Sequence, residues 1–427
     1  AKALRALFYL NLTVHWRDVP MRLKPVISPA DIHIEVTKQS EIYRQIINDL
    51  TFAVQYLPSP RDIKSTQLGR MTNTAAMGLL ARTNLYMAGA PMKIDSCYNE
   101  VIKWTQAIVK DGFHELNPDY HQIFINQCAD IYEPKENLFE VFFYGSAISP
   151  YSEFGANGTF NGIKSDDETN VGFSYGNMYV TPYLFKLFQE HDTISPANYT
   201  YGNIEFSKTN YPTFGDKRAM RIIANFRYAG NSNASYFSST NFTKYPGKWR
   251  RTEETNTPKG KNQSPTNVPV LRYADVLLMM AEAYNGRDGA PNDSAYWAIN
   301  QVRRRAFEVP VTVANAKVDV PAGLDGIAFL QWVKDERARE LAFEGLRKID
   351  LLRWDTYVSY MKAIVQTFPS FSSRNLPGGT GAGKLNNEHI GRACQIYDYI
   401  DTMHVVQPIP QRELDINNKI DQHILWQ

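Results

Sequence analysis

Apolar positions recur at helical spacing over most of the chain, and the exceptions are as informative as the rule. Ile42, Ile46, Leu50, Val54 and Leu57 repeat at three- and four-residue intervals, which predicts a helix over Glu41–Leu57 that Pro58 and Pro60 terminate. The same spacing predicts helices over Ala1–Trp16, Thr74–Ala88 and Ser96–Lys110, the last two joined by Gly89-Ala90-Pro91. Past Val268 it returns over Arg272–Tyr284 and Ser294–Ala306, separated by Gly286–Asp293, and over Asp325–Trp354, with a break expected near Gly345. Between 142 and 251 it fails, apart from Pro182–His191, and Asn-Gly, Tyr-Gly and Pro-Gly steps predict loops and short strands there. Residues 366–400 read as loop and His404–Pro410 as extended. The expected organisation is mainly α: helical parts at 1–140 and 268–365, a loop-rich region at 141–267 and a loop-rich C-terminal segment at 366–427. The first ten residues read as a helix interior with neither an N-cap nor an initiator Met, so an N-terminal portion, including any signal peptide, is expected to precede them.

Two helical stretches resemble each other. A shift of 198 residues lays Tyr86 on Tyr284, Asp95-Ser96 on Asp293-Ser294 and Tyr98 on Tyr296. Each copy is a helix–turn–helix of roughly the 34-residue tetratricopeptide length. Ala76, Ala81 and Ala88 in one copy, and Ala274, Ala281 and Ala283 in the other, would let a partner helix approach closely. Asp or Ser is expected to cap the second helix of each pair.

Composition narrows the function mainly by exclusion. A chain of 427 residues with 43% hydrophobic content can bury a large core, which rules out disorder. A net charge of +2 leaves no electrostatic footprint for nucleic acid, and nothing is long and apolar enough to span a bilayer as a helix. Three scattered cysteines, Cys97, Cys128 and Cys394, provide neither a disulfide framework nor a CxxC site. The aromatic residues are unevenly placed: 24 of the 110 positions in 142–251 are Phe, Tyr or Trp, with ten Gly and eleven Asn among them.

The chemical motifs are weak. Gly378-Gly379-Thr380-Gly381-Ala382-Gly383-Lys384 fits GxxxxGK, but Leu385 stands where a phosphate loop needs a hydroxyl for Mg²⁺ and no buried strand precedes it. His114-Glu115 lacks the second His of a zinc helix. Asp166-Asp167-Glu168 offers acidic ligands of the kind calcium takes, without the alternating oxygens of a calcium loop, and a solvated acidic turn is expected. No cofactor and no catalysis are expected. Glu336, Glu340 and Glu344 share one helix face in a charge-dense segment, which reads as structural pairing with neighbours.

These segments also resemble a known family, SusD/RagB. The resemblance runs through His15-Trp16-Arg17-Asp18-Val19-Pro20, Gly69-Arg70-Met71-Thr72, Pro269–Leu278 with Ala281-Glu282-Ala283, Glu336–Trp354 and Pro408-Ile409-Pro410. It implies tetratricopeptide-type helix pairs supporting a loop-rich ligand face. It further implies a surface-exposed outer-membrane lipoprotein that binds an oligosaccharide, or a peptide, for a SusC-like TonB-dependent transporter. A purely scaffolding role in the transporter complex is a third option. The anchoring cysteine would lie in the preceding portion, because all three cysteines sit well inside this chain.

The matching motifs belong to the scaffold, so ligand residues must be sought by chemistry. Sugar rings stack their C–H faces on aromatic rings and pair their hydroxyls with Asn and Arg side chains. Most rings of 142–251 are expected to pack a core, and Trp249 in Lys244–Arg251 to have a structural role with cation–π packing. Rings flanked by Gly, Ser and Asn are the ligand candidates: Tyr151, Phe154, Tyr175, Tyr236 and Phe237, with Asn241 beside them and Phe371 and Arg374 in the second loop region. The near-zero net charge favours neutral sugars over anionic glycans.

Overall fold

The computed structural model describes residues 1–143, 154–190, 215–229, 233–236, 244–257, 259–365 and 399–427. The helices are α1 (Lys2–Trp16), α2 (Gln39–Tyr56), α3 (Asn73–Ala88), α4 (Cys97–Asp111), α5 (Tyr120–Cys128), α6 (Pro182–Glu190), α7 (Arg218–Ile222), α8 (Tyr273–Asp288), α9 (Asp293–Ala306), α10 (Gly326–Glu340), α11 (Arg347–Arg353), α12 (Tyr357–Val365) and α13 (Gln411–Ile416). Among the described residues the strands pair only in antiparallel twos. In particular β1 (Val19–Pro20) pairs with β2 (Val36–Thr37), and β3 (Asn137–Val141) with a strand at Val268–Arg272.

Helices α1, α2, α3 and α4 pack each on the next, and α4 then packs on α8, which packs on α9 and α10. The two halves of the repeat are thus neighbours in one helical stack, although residues 112–272 intervene. All six alanines expected at helix–helix contacts are buried. Thr72 caps α3 by accepting from the Ala75 amide, and Asp325 caps α10 by accepting from the Ala328 amide at 2.8 Å. The cap of α9 differs from expectation. Asn292, one residue before Asp293-Ser294, accepts from the Ala295 amide, while Ser96 makes no side-chain cap bond at α4. The 325–354 stretch does break: α10 stops at Glu340, Phe343 and Gly345 adopt positive φ, and α11 starts at Arg347. The extended reading of His404–Pro410 is corrected at its start, where Thr402–Val405 forms a 3-10 turn capped by Asp401.

The intervening residues build a second core of Tyr120, Phe124, Phe185, Phe188, Ile222, Ile223 and Trp249. Of the fourteen rings of 142–251 whose side chains are described, five are buried, Phe185, Phe188, Phe226, Tyr245 and Trp249, so a majority packed in a core is not found among the described residues. Trp249 is 1% exposed, its indole N–H donates to Gln127 Oε1 at 2.8 Å, and Phe124 packs edge-on against it. The cation of this segment sits over the neighbouring ring: Lys248 Nζ lies 4.6 Å from the Phe124 centroid.

What joins the two cores is charge. Glu336 and Glu340 on α10 point into the protein, and Glu344, expected on the same helix face, joins them from the turn after the helix ends. Glu340 accepts from Arg218, Arg272 and Arg305 at 2.9, 2.9 and 2.7 Å, and Glu344 from Lys248 and Arg272 at 2.6 and 2.7 Å. Glu336 pairs with Arg218, Arg303 and Arg339, and Glu136 with Arg272 and Arg305. Burial pushes the Glu340 carboxyl up, but the guanidinium groups of Arg305, Arg272 and Arg218 together outweigh it and bring it down to about 2. Burial lowers the Lys248 ammonium to about 8. Such pairs add little net stability against apolar packing, yet losing one partner costs about 3–5 kcal/mol.

Candidate functional site

The best-defined loop face is built on segments 154–176 and 259–264. The Gly155 amide donates to the Ser264 carbonyl at 2.8 Å, the Tyr175 amide to Thr159 O at 3.0 Å, and Ser165 and Ser174 exchange backbone bonds at 3.0 and 2.9 Å. One buried side chain ties these segments together. Arg251 donates through Nη1 to the carbonyls of Phe173 (2.7 Å) and Gly260 (3.0 Å), and through Nη2 to Gln263 O at 2.6 Å. Its Nε pairs with Glu254 at 3.0 Å, and Glu254 also accepts from Ser264 Oγ at 2.7 Å. Gly172 lies against this guanidinium with φ +91°, and a Cβ there would come within 2.8 Å of Arg251 Cζ. Burial raises the Glu254 pKa, opposed by Arg251.

The loops held this way present rings. Phe160 stacks on Tyr175 with centroids 5.1 Å apart and planes 13° from parallel, while Phe173 meets Tyr175 edge-on at 4.8 Å. Phe160 is 46% exposed, and Phe173 and Tyr175 are half-buried. Polar groups surround the rings: Tyr175 O–H donates to Asn262 Oδ1 at 3.0 Å, and Lys261 Nζ sits 4.5 Å from the Phe173 centroid and 3.5 Å from Glu168. Asn161 donates to Asn157 Oδ1 at 3.0 Å beside Phe160. The arrangement offers a flat apolar surface edged by amides, an ammonium and a carboxylate. It suits stacking with hydrogen bonding.

Of the eight candidates from sequence, Phe154 and Tyr175 lie on this pair of segments. Phe154 is 46% exposed next to Gly155, whereas Tyr175 forms the inner member of a stack instead of standing free. Tyr236 ends a short strand at Asn233–Tyr236, where its backbone pairs with Phe226. Tyr151, Phe237, Asn241, Phe371 and Arg374 lie outside the described residues. Sequence reasoning missed Phe160, Phe173, Lys261 and Asn262. The first two carry the same local signal as Tyr175, being flanked by Asn-Gly and by Gly and Ser.

A cleft of about 450 Å³ opens nearby between α6, the turn after α10, and α12. Asn161 and Met178 form one wall, and Tyr183 and Tyr360, edge-on at 5.1 Å, form another. Arg347 lies 4.8 Å from the Tyr360 ring centroid. Tyr360 sits in a helix with no glycine or asparagine signal around it, so the sequence did not mark it.

The remaining motifs are structural or lie elsewhere. His114 Nε2 is 2.8 Å from Thr74 Oγ1, and burial lowers this imidazole to about 4. In the acidic turn, Asp167 accepts from the amides of Thr169 and Asn170, and Asp166 pairs with Lys164. Among the described residues no group of three His, Cys, Asp or Glu side chains is placed to hold a metal, and no helix is long and apolar enough to cross a membrane. The glycine-rich 378–384 stretch lies outside the described residues.

The model of the SusD family matches residues 140–426. The chain belongs to the SusD family. SusD-like protein P25 of Formosa agariphila is 24% identical over 431 residues, covering 97% of this chain and 70% of that protein. A SusD homolog from Bacteroides thetaiotaomicron superposes with a TM-score of 0.83 at 26% identity, over 99% of this chain and 77% of the other. A laminarin-binding SusD-like protein shares the fold with a TM-score of 0.67 at 22% identity, over 99% of this chain and 77% of its own. The helical stack and its insertion are thus a SusD fold.

Proposed function

We propose that this SusD-family chain binds an oligosaccharide at the cell surface, on the face made by Phe154, Phe160, Phe173 and Tyr175. It would then deliver that ligand to a SusC-like TonB-dependent outer-membrane transporter. The observation that carries the reading is the exposed Phe160–Tyr175 stack, held by buried hydrogen bonds and edged by Asn262 and Lys261. A laminarin-binding relative of the same fold supports a glycan as ligand. The chemistry is physical: stacking and hydrogen bonds hold the ligand, and moderate affinity suits hand-over because release must be fast. Attachment as a surface lipoprotein belongs to the same proposal.

The test is a glycan array followed by calorimetry on Phe160→Ala and Tyr175→Ala. Stacking contributes about 1 kcal/mol per ring. Each variant should therefore weaken the best glycan roughly fivefold to tenfold, with a melting temperature within about 3 °C of the parent. Binding of peptides in place of glycans would move the function to peptide uptake. Unchanged glycan binding in both variants would remove this face from the reading.

A further inference from the structure

A cavity of about 700 Å³ lies in the helical half, between the ends of α1, α2, α3 and the α11–α12 pair. No residue of 141–267 lines it, so it is separate from the aromatic loop face. Its size is that of a small-molecule site.

Its walls carry donors that open onto the space. Tyr43 and Tyr86 both line it, 3% and 6% exposed, and neither hydroxyl is among the fully buried polar atoms left without a partner, so both open onto the space. Hydroxyls that open onto such a space take their hydrogen bonds from what fills it. Burial raises the Tyr86 phenol to about 12, and Tyr43 is raised in the same direction, so both remain donors at neutral pH. Arg17, half-buried, and Lys362, exposed with Asp401 in its field, also line the cavity. The anionic side chain on the wall, Asp355, is already held by Lys93 at 2.9 Å.

Arg17 is held there against its backbone preference. It has φ 62° and ψ −102° at the end of α1. Thr13 pins it, accepting from the Arg17 amide at 2.9 Å and donating its hydroxyl to Arg17 O at 2.7 Å. Gln39 Nε2 in turn donates to Thr13 O at 3.0 Å. A non-glycine residue at such angles persists only where surrounding contacts over-determine it, and such residues gather at functional sites.

We infer that this cavity is a second binding site, for a small polyhydroxy molecule bearing an oxyanion. Arg17 would fork the anion, Lys362 would share its charge, and the two tyrosines would donate to it or to adjacent hydroxyls. A guanidinium matches a carboxylate or phosphate in geometry.

Calorimetry and thermal shift with sodium D-galacturonate, neutral D-galactose and inorganic phosphate test the inference. Galacturonate should bind saturably and raise the melting temperature where galactose does neither. Arg17→Gln should weaken binding at least about tenfold, and Tyr43→Phe/Tyr86→Phe by roughly threefold to tenfold. The tyrosine pair also keeps the test open if Arg17→Gln fails to fold. Phosphate binding that depends on Arg17, without galacturonate binding, would keep the anion and overturn the sugar. Failure of both anions to bind the folded protein, or binding unchanged in Arg17→Gln and in the tyrosine pair, would overturn the site.

Discussion

Replacing Arg251 by Met keeps much of its volume and removes the buried guanidinium bonds that tie the two loop segments of the aromatic face, leaving the Gly155–Ser264 backbone bond and the outer Tyr175–Asn262 and Lys261–Glu168 contacts. The carbonyls of Phe173, Gly260 and Gln263 lose donors at 2.6–3.0 Å, and the Glu254 carboxylate keeps only Ser264 Oγ at hydrogen-bonding distance. An orphaned buried charge costs about 3–5 kcal/mol, and each abandoned carbonyl adds to that. The loss should be local, because the helical stack draws on a separate core. Amide exchange in 172–176 and 259–264 should accelerate by about two orders of magnitude or more, at about 1.4 kcal/mol per tenfold. Exchange in α3 and α8 should barely move. Glycan affinity should fall with the loops, although Arg251 is buried beneath them.

A second variant separates charge from connectivity. Arg251→Met/Glu254→Gln removes the orphaned carboxylate and should recover part of the lost protection, which is the non-additivity expected of contacting groups. The sign of the pH effect follows from the same carboxylate. Burial already raises the Glu254 pKa, and without Arg251 it rises further. A raised carboxyl loses stability as pH rises through the window between its unfolded and folded values. The single variant should therefore be closer to the parent at pH 5 than at pH 8. Unchanged exchange in both segments, or a double variant no better than the single, would refute the reasoning.

Three other outcomes are expected. Burial, with Glu133 and Asp130 nearby, lifts Glu140 to about 8 from 4.5, so the folded protein holds a proton that the unfolded chain releases across that window. Stability should fall as pH rises through it, and Glu140→Gln should flatten the fall, gaining on the order of 3 kcal/mol in urea unfolding at pH 8.5. Glu340→Ala strips an acceptor from three arginines and should cost about 3–5 kcal/mol in the same assay. Arg17→Gly should stabilise by about 1 kcal/mol by relieving the positive φ, while abolishing any response to galacturonate or phosphate.

The helical frame was legible because its information is local. Ile42, Ile46 and Leu50 are all buried on one face of α2, and the alanines of α3 and α8 are buried where the repeat places them. The role of Glu336, Glu340 and Glu344 was legible too, since their spacing demands a common partner. The partners were not, because Arg218 and Lys248 come from a distant segment whose position only the tertiary structure sets. Arg251 was hidden for a stronger reason. Its partners are mostly backbone carbonyls, which every residue has, so no side-chain pattern announces them. Phe160 and Phe173 were within reach, and only the choice of rings within one Gly- and Asn-rich stretch left them out.

The two kinds of contact divide the work of the fold. Apolar packing stabilises the helical stack, where small residues and periodicity leave little freedom. The seam to the inserted region includes a cluster of buried ion pairs, in which α10 and Glu344 just beyond it meet Arg218 and Lys248, while Arg272 and Arg305 bridge to Glu136. Ion pairs of this kind contribute orientation more than net energy, because their alternatives leave charges buried and alone. Loops docked this way can change sequence at their exposed face without altering their placement. That fits a scaffold whose family motifs fall on α8 and α10 and whose exposed loop rings carry no motif at all.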